Sequence, residues 1–400
     1  MPASARLADA AKAIVIRFAW LWFELVHRSR RNSRDWVVGV EEIASMVRQL
    51  ADVLPRSTTV VFGDHPFYDF HYDHAPVAHP GRLGRAWDIV VRRPLLFARL
   101  ASEARGFVYV GARGFLASAG GTRAPEFRFL RRRGVRICCY FTGSDIRSLV
   151  RLEALERETG VPNLSSRFRL VNPETFLPVY DEQRRRTAAD ADAFADVVYS
   201  ASVDQLSYLA RPTEPFLYLL PEHAFAEPSP PPRSERLVVL HAPSSPIVKG
   251  TEFVRDAVRR LRDEGHDFDY VELSKVPHTE VTAALRRADI VLNQFFAYMP
   301  GVFGVEALAA GCAVMMSADG RVEPDLAPGA NEAWLVTRHD EIVENLRSLL
   351  TDRDRIDELA ERGWRWARRY ASAEASGERL RTTLDRVLAG TYSGPRGWAE

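Results

Sequence analysis

Lys249 is one of only three lysines in a chain that writes almost all of its 54 basic residues as arginine. It stands in HAPSSPIVKG (residues 241–250), after the aliphatic run LVVLHAP and before TEFVRDAVRRLRDEG. In the latter, Phe253, Val254, Ala257, Val258 and Leu261 recur at helical spacing and Gly265 ends the pattern. A strand that turns directly into a helix is where open α/β sheets bind ligands, because free N–H groups and the positive end of the helix dipole favour a phosphate there. Gly250 permits close backbone approach, and Lys249 adds a full charge on a flexible stem. The order Lys-Gly is not the GxxxxGK of a Walker loop. Taken alone, the pair also reads as a surface turn.

A second constellation lies downstream. DIVLNQFFAYMPGVFGVEALAAGCAVMMS (289–317) reads as strand, glycine-punctuated loop, short helix, Gly311 stop and strand, with Gly301 and Gly304 flanking the loop. Glu306 is expected in the first turn of that helix, where the dipole favours a carboxylate. There it serves either as a helix cap or as an acceptor for a ribose diol, the role of the acidic residue in dinucleotide folds. A phosphate site and a diol-binding carboxylate on one sheet edge together suggest a nucleotide diphosphate ligand.

These residues need a scaffold. Short β-branched runs at 58–64, 107–112, 135–141, 196–202, 237–243, 268–273, 289–295, 312–317 and 333–337 alternate with amphipathic stretches, the pattern of parallel sheets wrapped by helices. Between the fourth and fifth runs, PEHAFAEPSPPPRSER (221–236) has too many prolines to continue a sheet or helix. The reading is therefore two Rossmann-like domains, 1–222 and 237–370, joined by a hinge at 223–236, with a closing helix over 371–400.

Composition agrees with a globular chain: 400 residues, 46% hydrophobic and 27% charged. A net charge of +1 gives no electrostatic reason to expect nucleic acid. Three cysteines (Cys138, Cys139, Cys312) form neither a disulfide framework nor a metal pattern, which fits a reducing cytoplasm. The N-terminal AIVIRFAWLWFELVHRSRR is too short and too charged to span a bilayer. It reads first as a buried strand, AIVIRF, leading into a helix. The second reading is an interfacial helix whose Trp20, Trp22 and Phe23 meet the inner membrane face beside Arg28, Arg30 and Arg31.

The stretches LHAPSSPIVKGTEFVRDAVRRL, VELSKVPHTEVTAALRRADIVLNQ and GVFGVEALAAGCAVM resemble the nucleotide-sugar-binding half of GT-B-fold glycosyltransferases of the retaining family 4 (group 1) type. FVYVGARGFL, RRRGVRICCYFTGSDIRS and ADVVYSASVDQLSYL resemble the first domain of that fold, and WARRYASAEASGERLRTTLDRVL its closing helices. The resemblance implies transfer of a sugar from a uridine or guanosine diphosphate donor to an acceptor hydroxyl with retention, in a cleft between the domains. The acceptor class is a glycan, a lipid-linked molecule or a small molecule, within cell-surface glycan or glycoconjugate synthesis. No metal or further cofactor is implied. Lys249 would contact the diphosphate with Gly250, and Glu306 would hold the ribose. Ser274, Lys275 and Val276 would receive the base, and Gly301, Val302, Phe303 and Gly304 would approach sugar and phosphate. Thr142 and Asp145 would line the catalytic side of the first domain.

Departures from the pattern matter. Tyr298 stands where the family has the first glutamate of a pair, Ser244, Ser245 and Pro246 fill the segment where an arginine precedes the lysine, and Thr142 replaces a common histidine. Asp145 and Arg147 are candidates for the cleft, or else caps of a helix beginning near Ile146. A GT-B-fold protein that binds sugar nucleotide or glycan without turnover is the alternative, and a sugar-nucleotide epimerase of similar fold the runner-up enzyme. DAD at 190–192 reads as a solvated helical face rather than a metal motif. His65, His71, His74 and His79 suit an acceptor-side loop better than a zinc site, and one of them reaching the cleft could act in place of Thr142.

Overall fold

A computed structural model describes residues 3–26, 30–63, 70–118, 121–225 and 236–398. Residues 226–235 of the proline-rich hinge, and His65 with Asp64 and Asp69, lie outside the described residues.

All nine runs singled out in the sequence contain strands, and most are buried because helices cover both faces of a parallel sheet; the edge strands Phe268–Glu272 and Leu335–Val336 are only partly buried. The first sheet contains β1 (Arg34–Val40), β2 (Ser57–Val61), β3 (Ala104–Val110), β4 (Arg136–Tyr140) and β5 (Val197–Tyr199), in the order β2-β1-β3-β4-β5. The second contains β6 (Leu237–His241), β7 (Phe268–Glu272), β8 (Ile290–Leu292), β9 (Ala313–Met316) and β10 (Leu335–Val336), in the order β10-β9-β8-β6-β7. All pairings are parallel. Counted from its own first strand, the second sheet repeats the order of the first. Each sheet thus has a switch point, between β1 and β3 and between β6 and β8, where neighbouring connections leave in opposite directions and open a crevice.

The N-terminal expectation is corrected. AIVIRF is not a strand but lies inside a helix, Ala3–Val26, because the alanine-rich ASARLADAAKA ahead of it and the straight-chain residues after it favour one continuous helix over a short β-branched run. The first strand is RDWVVGV, which sequence reading passed over. Its charged start obscures a core strand in which Trp36, Val37, Val38 and Val40 are all buried.

The chain crosses between domains twice, and the crossings touch. Leu220 N donates to the Ala371 carbonyl and Ala373 N to the Leu220 carbonyl, both at 2.7 Å. Before the return crossing, helix Arg353–Tyr370 packs on β9 and on helix Gly301–Ala309. After it, helix Ala375–Ala389 packs on helix Met46–Val53 of the first domain, with Arg381 donating to the Val53 carbonyl at 3.2 Å. A helix pair inserted between β4 and β5, Leu149–Thr159 and Leu164–Val171, reaches the other way. Its Leu152 and Leu164 are buried in a core built mainly from second-domain residues such as Val239, Leu261 and Phe295.

Candidate functional site

A cleft of about 470 Å³ lies between the two domains, lined by segments that follow the C-terminal ends of strands in both sheets. Residues from both domains line it: Thr142 and Arg147 from the segment after β4, Lys249 from the segment after β6, and Gln294, Val302 and Glu306 from the segment after β8.

The lysine is placed by a specific local fold. A single helical turn, Pro246–Lys249, ends in Gly250 at φ +82, and helix Thr251–Asp263 starts at once. That left-handed conformation suits glycine, and a Cβ at Gly250 would stand 3.0 Å from the Phe296 ring. Beneath the joint, His241 is buried, with Nδ1 2.7 Å from the Leu292 carbonyl and Nε2 2.9 Å from the Thr251 hydroxyl. Burial lowers its pKa to about 4, so the ring is neutral and ties β6, β8 and the following helix together.

Lys249 Nζ donates to Gln294 Oε1, whose orientation is set by Gln294 Nε2 donating to the Met299 carbonyl at 2.6 Å. Withdrawal from water lowers the ammonium to about 8, Asp204 opposing this and Arg147 reinforcing it. Arg147 pairs with the Asp204 carboxylate and donates from Nε to the Asp204 carbonyl. Asp204 Oδ1 in turn accepts from Tyr298 N at 2.8 Å and Met299 N at 3.3 Å, so a first-domain carboxylate holds the second-domain loop. Arg147 thus adds a second cation to the cleft lining, from the first domain.

Glu306 is also corrected in detail. Pro300 precedes a helix that begins at Gly301, so Glu306 lies in its second turn, and the first turn, Gly301, Val302 and Phe303, lines the cleft with Gly301 N donating to the Tyr218 hydroxyl at 3.0 Å. Of the glycines expected to flank a loop, Gly301 opens the helix at φ +67 and Gly304 lies inside it. Gly304 is required by packing, since a Cβ there would stand 2.4 Å from Asn293 Nδ2. Glu306 Oε1 lies 2.8 Å from His278 Nε2, and this bond, more than any other influence, raises the His278 pKa.

The other expected residues divide. Lys275, Val276 and Thr142 line the cleft. Ser274 and Gly250 shape it from behind, Ser274 Oγ donating to the Pro243 carbonyl at 3.3 Å. Asp145 closes its own turn, accepting from Thr142 N at 3.0 Å and Gly143 N at 2.6 Å. The next helix begins at Leu149 rather than near Ile146, capped by Ser148 accepting from Arg151 N. Tyr298 is buried behind the cleft wall. Asp190, read as part of a solvated face, is buried and accepts from Arg123 N at 2.6 Å and the Thr122 hydroxyl at 2.8 Å. Neither His71, His74 nor His79 lines the cleft, and among the described residues no group of three His, Cys, Asp or Glu is arranged to hold a metal. Sequence reading missed Gln294, Asp204 and His278. Only His278, three residues after Lys275, carried a local signal.

Two doubly wound domains facing across a cleft, with closing helices that return to the first, define the GT-B fold. Residues 251–385 match the family described as Glycosyl transferase-like. Among solved structures, the chain is similar to sucrose-phosphate synthase from Thermosynechococcus elongatus, with 14% identity, TM-score 0.59, and coverage of 89% of this chain and 100% of that one. It is likewise similar to Anabaena HepE in complex with UDP and glucose, with 13% identity, TM-score 0.56, and coverage of 88% and 100%. The catalytic domain of starch synthase IV from Arabidopsis thaliana, bound to ADP and acarbose, shares 12% identity at TM-score 0.54, covering 90% and 100%. No curated protein matches the chain.

Proposed function

We propose that this protein is a retaining glycosyltransferase that moves a hexosyl group from a uridine or guanosine diphosphate donor to an acceptor hydroxyl, in the synthesis of a cell-surface glycan or glycoconjugate. The observation that carries this reading is the charge gathered in one cleft, which Lys249, Arg147 and the Glu306–His278 pair all line. Negative charge grows on the diphosphate as the bond to the anomeric carbon breaks. Two fixed cations and the N-terminal turn at Gly301 stabilise that charge without a metal. Glu306 accepts from the ribose hydroxyls, and Lys275 and Val276 border the base. The test is a screen of uridine and guanosine diphosphate hexoses, with and without a chelator, scored for donor hydrolysis and transfer. Turnover that survives chelation and is lost in Lys249→Ala supports the proposal.

The alternative, donor binding without turnover, draws on Tyr298, which is buried where a relative's glutamate would face the sugar, and on Thr142 in place of a histidine. Thermal stabilisation by a donor with no product from any of them would select it.

A further inference from the structure

The N-terminal helix is apolar on two opposite sides. One side is docked: Ile16 and Ala19 are buried and Trp20 and Phe23 pack against the first domain's core, chiefly along helix Arg93–Glu103. The other side carries Leu7, Ile14, Phe18, Leu21, Trp22 and Leu25, a spacing that places them on a single face. Phe18 is 69% exposed, Trp22 62% and Leu25 68%. A helix that is apolar all round belongs in a buried setting, and a contiguous exposed apolar face of this size marks an interaction surface.

Basic residues outnumber acids around this face: Arg17, Arg128, Arg132 and Arg133 stand against Asp9, which lines the same cleft, and Glu24. The two acids of the helix are tied down, Asp9 to Lys12 at 2.9 Å and Glu24 to Arg31 at 3.9 Å. Arg17 is exposed at the edge of the stripe and borders a cleft of about 490 Å³ whose other basic residues are Lys12, Arg128, Arg132 and Arg133. A second copy docked face to face would bring two such basic flanks together, and like charges would oppose it. An anionic lipid surface satisfies both features, taking the apolar stripe into the acyl boundary and its phosphates against the arginines. Trp22 suits the headgroup level, where indole rings concentrate. The helix does not cross: no helix among the described residues is long and apolar enough to span a membrane.

We propose that the outward face of helix Ala3–Val26 and the arginine cleft beside it dock the protein onto an anionic bilayer surface. This holds independently of what the nucleotide cleft does.

The test is co-sedimentation of the full chain with vesicles of phosphatidylcholine alone and of phosphatidylcholine mixed with phosphatidylglycerol. Binding to the mixed vesicles that weakens with salt is expected, and the pair Phe18→Asp with Trp22→Asp should reduce it at least tenfold. Arg128→Ala with Arg132→Ala should reduce it by roughly fivefold per arginine. Should the aspartate pair fail to fold, serine at the same positions replaces it. The proposal is overturned if the protein stays in the supernatant, if the Phe18 and Trp22 variants bind unchanged, or if neutral vesicles bind equally. A dimer of the unmodified chain that those variants disperse, without vesicle binding, overturns it in favour of self-association. Affinity for a donor measured without vesicles stays unchanged throughout, which separates this outcome from failure of the glycosyltransferase reading.

Discussion

Arg147 and Lys249 meet across the cleft from opposite domains, both within the field of the Asp204 carboxylate. A diphosphate between them would bridge the domains and share the two cations with Asp204. A hydrogen bond to a charged group contributes about 1.5–3 kcal/mol. Lys249→Ala should therefore weaken donor binding by roughly 10- to 150-fold, read by calorimetry. Arg147→Lys, which keeps the charge but loses the fork, should bind better than Arg147→Ala. Equal affinity of Lys249→Ala and the unmodified protein would remove Lys249 from the diphosphate site.

The depressed Lys249 pKa of about 8 gives donor binding a pH dependence. The bound diphosphate favours the protonated amine, so affinity should be flat below that pH and fall above it, with proton uptake on binding in alkaline buffer. Lys249→Ala should flatten the profile.

Glu306 and His278 should read the sugar part of the nucleotide rather than the phosphates. Glu306→Ala is expected to lower affinity for a nucleoside diphosphate about tenfold or more while leaving inorganic pyrophosphate nearly unaffected. A 2′-deoxy donor should lose less in this variant than in the unmodified protein. The raised His278 pKa means that its pair with Glu306 supports the fold fully below its unfolded pKa of 6.5 and is lost as pH rises through the higher folded value. His278→Ala should remove that segment from a plot of melting temperature against pH.

Gly250→Ala places a Cβ in a left-handed conformation, a cost of roughly 1–2 kcal/mol, and presses on Phe296 at 3.0 Å. Denaturant unfolding should register the loss, and donor affinity should fall with it because Lys249 is the preceding residue.

Glu323 of the second domain is buried and accepts from Ser202 N at 3.2 Å, Val203 N at 2.9 Å and Asp204 N at 2.7 Å of the first. Burial raises its pKa from 4.5 to about 7. The unfolded chain ionises this group first, so its contribution to stability is greatest below pH 4.5 and falls as pH rises toward 7. Glu323→Gln, which keeps an acceptor without a charge, should melt at or above the unmodified protein at neutral pH. Glu323→Ala leaves three N–H groups, that of Asp204 buried, without this acceptor and should lose about 1–3 kcal/mol.

Much of this was legible in the chain. Nine β-branched runs gave nine strands because a parallel sheet buries both faces, so its strands read as unbroken apolar segments. Lys249 and Gly250 could be located because a strand, a turn and an amphipathic helix are consecutive in sequence, and the turn must then fall at the sheet's C-terminal edge. RDWVVGV escaped because its polar start hides the core strand that follows. The helix around AIVIRF was misread because a run apolar on all sides carries no period to tell strand from helix.

What local pattern could not supply is every pairing across distance. Arg147 stands 102 residues before Lys249 in the chain (249 − 147), and only the closing of the two domains brings both to one cleft. The same closing turns Asp204 into a clasp on the 298–299 backbone, while the winding of the second domain alone brings Glu306 to His278. The sequence by itself determined two doubly wound domains and the sheet edge on which the proposed phosphate site lies, since both follow from hydrophobic period and local turn chemistry. Which charges share that site was decided by tertiary structure, because side-chain electrostatics act through space and leave no periodic trace along the chain.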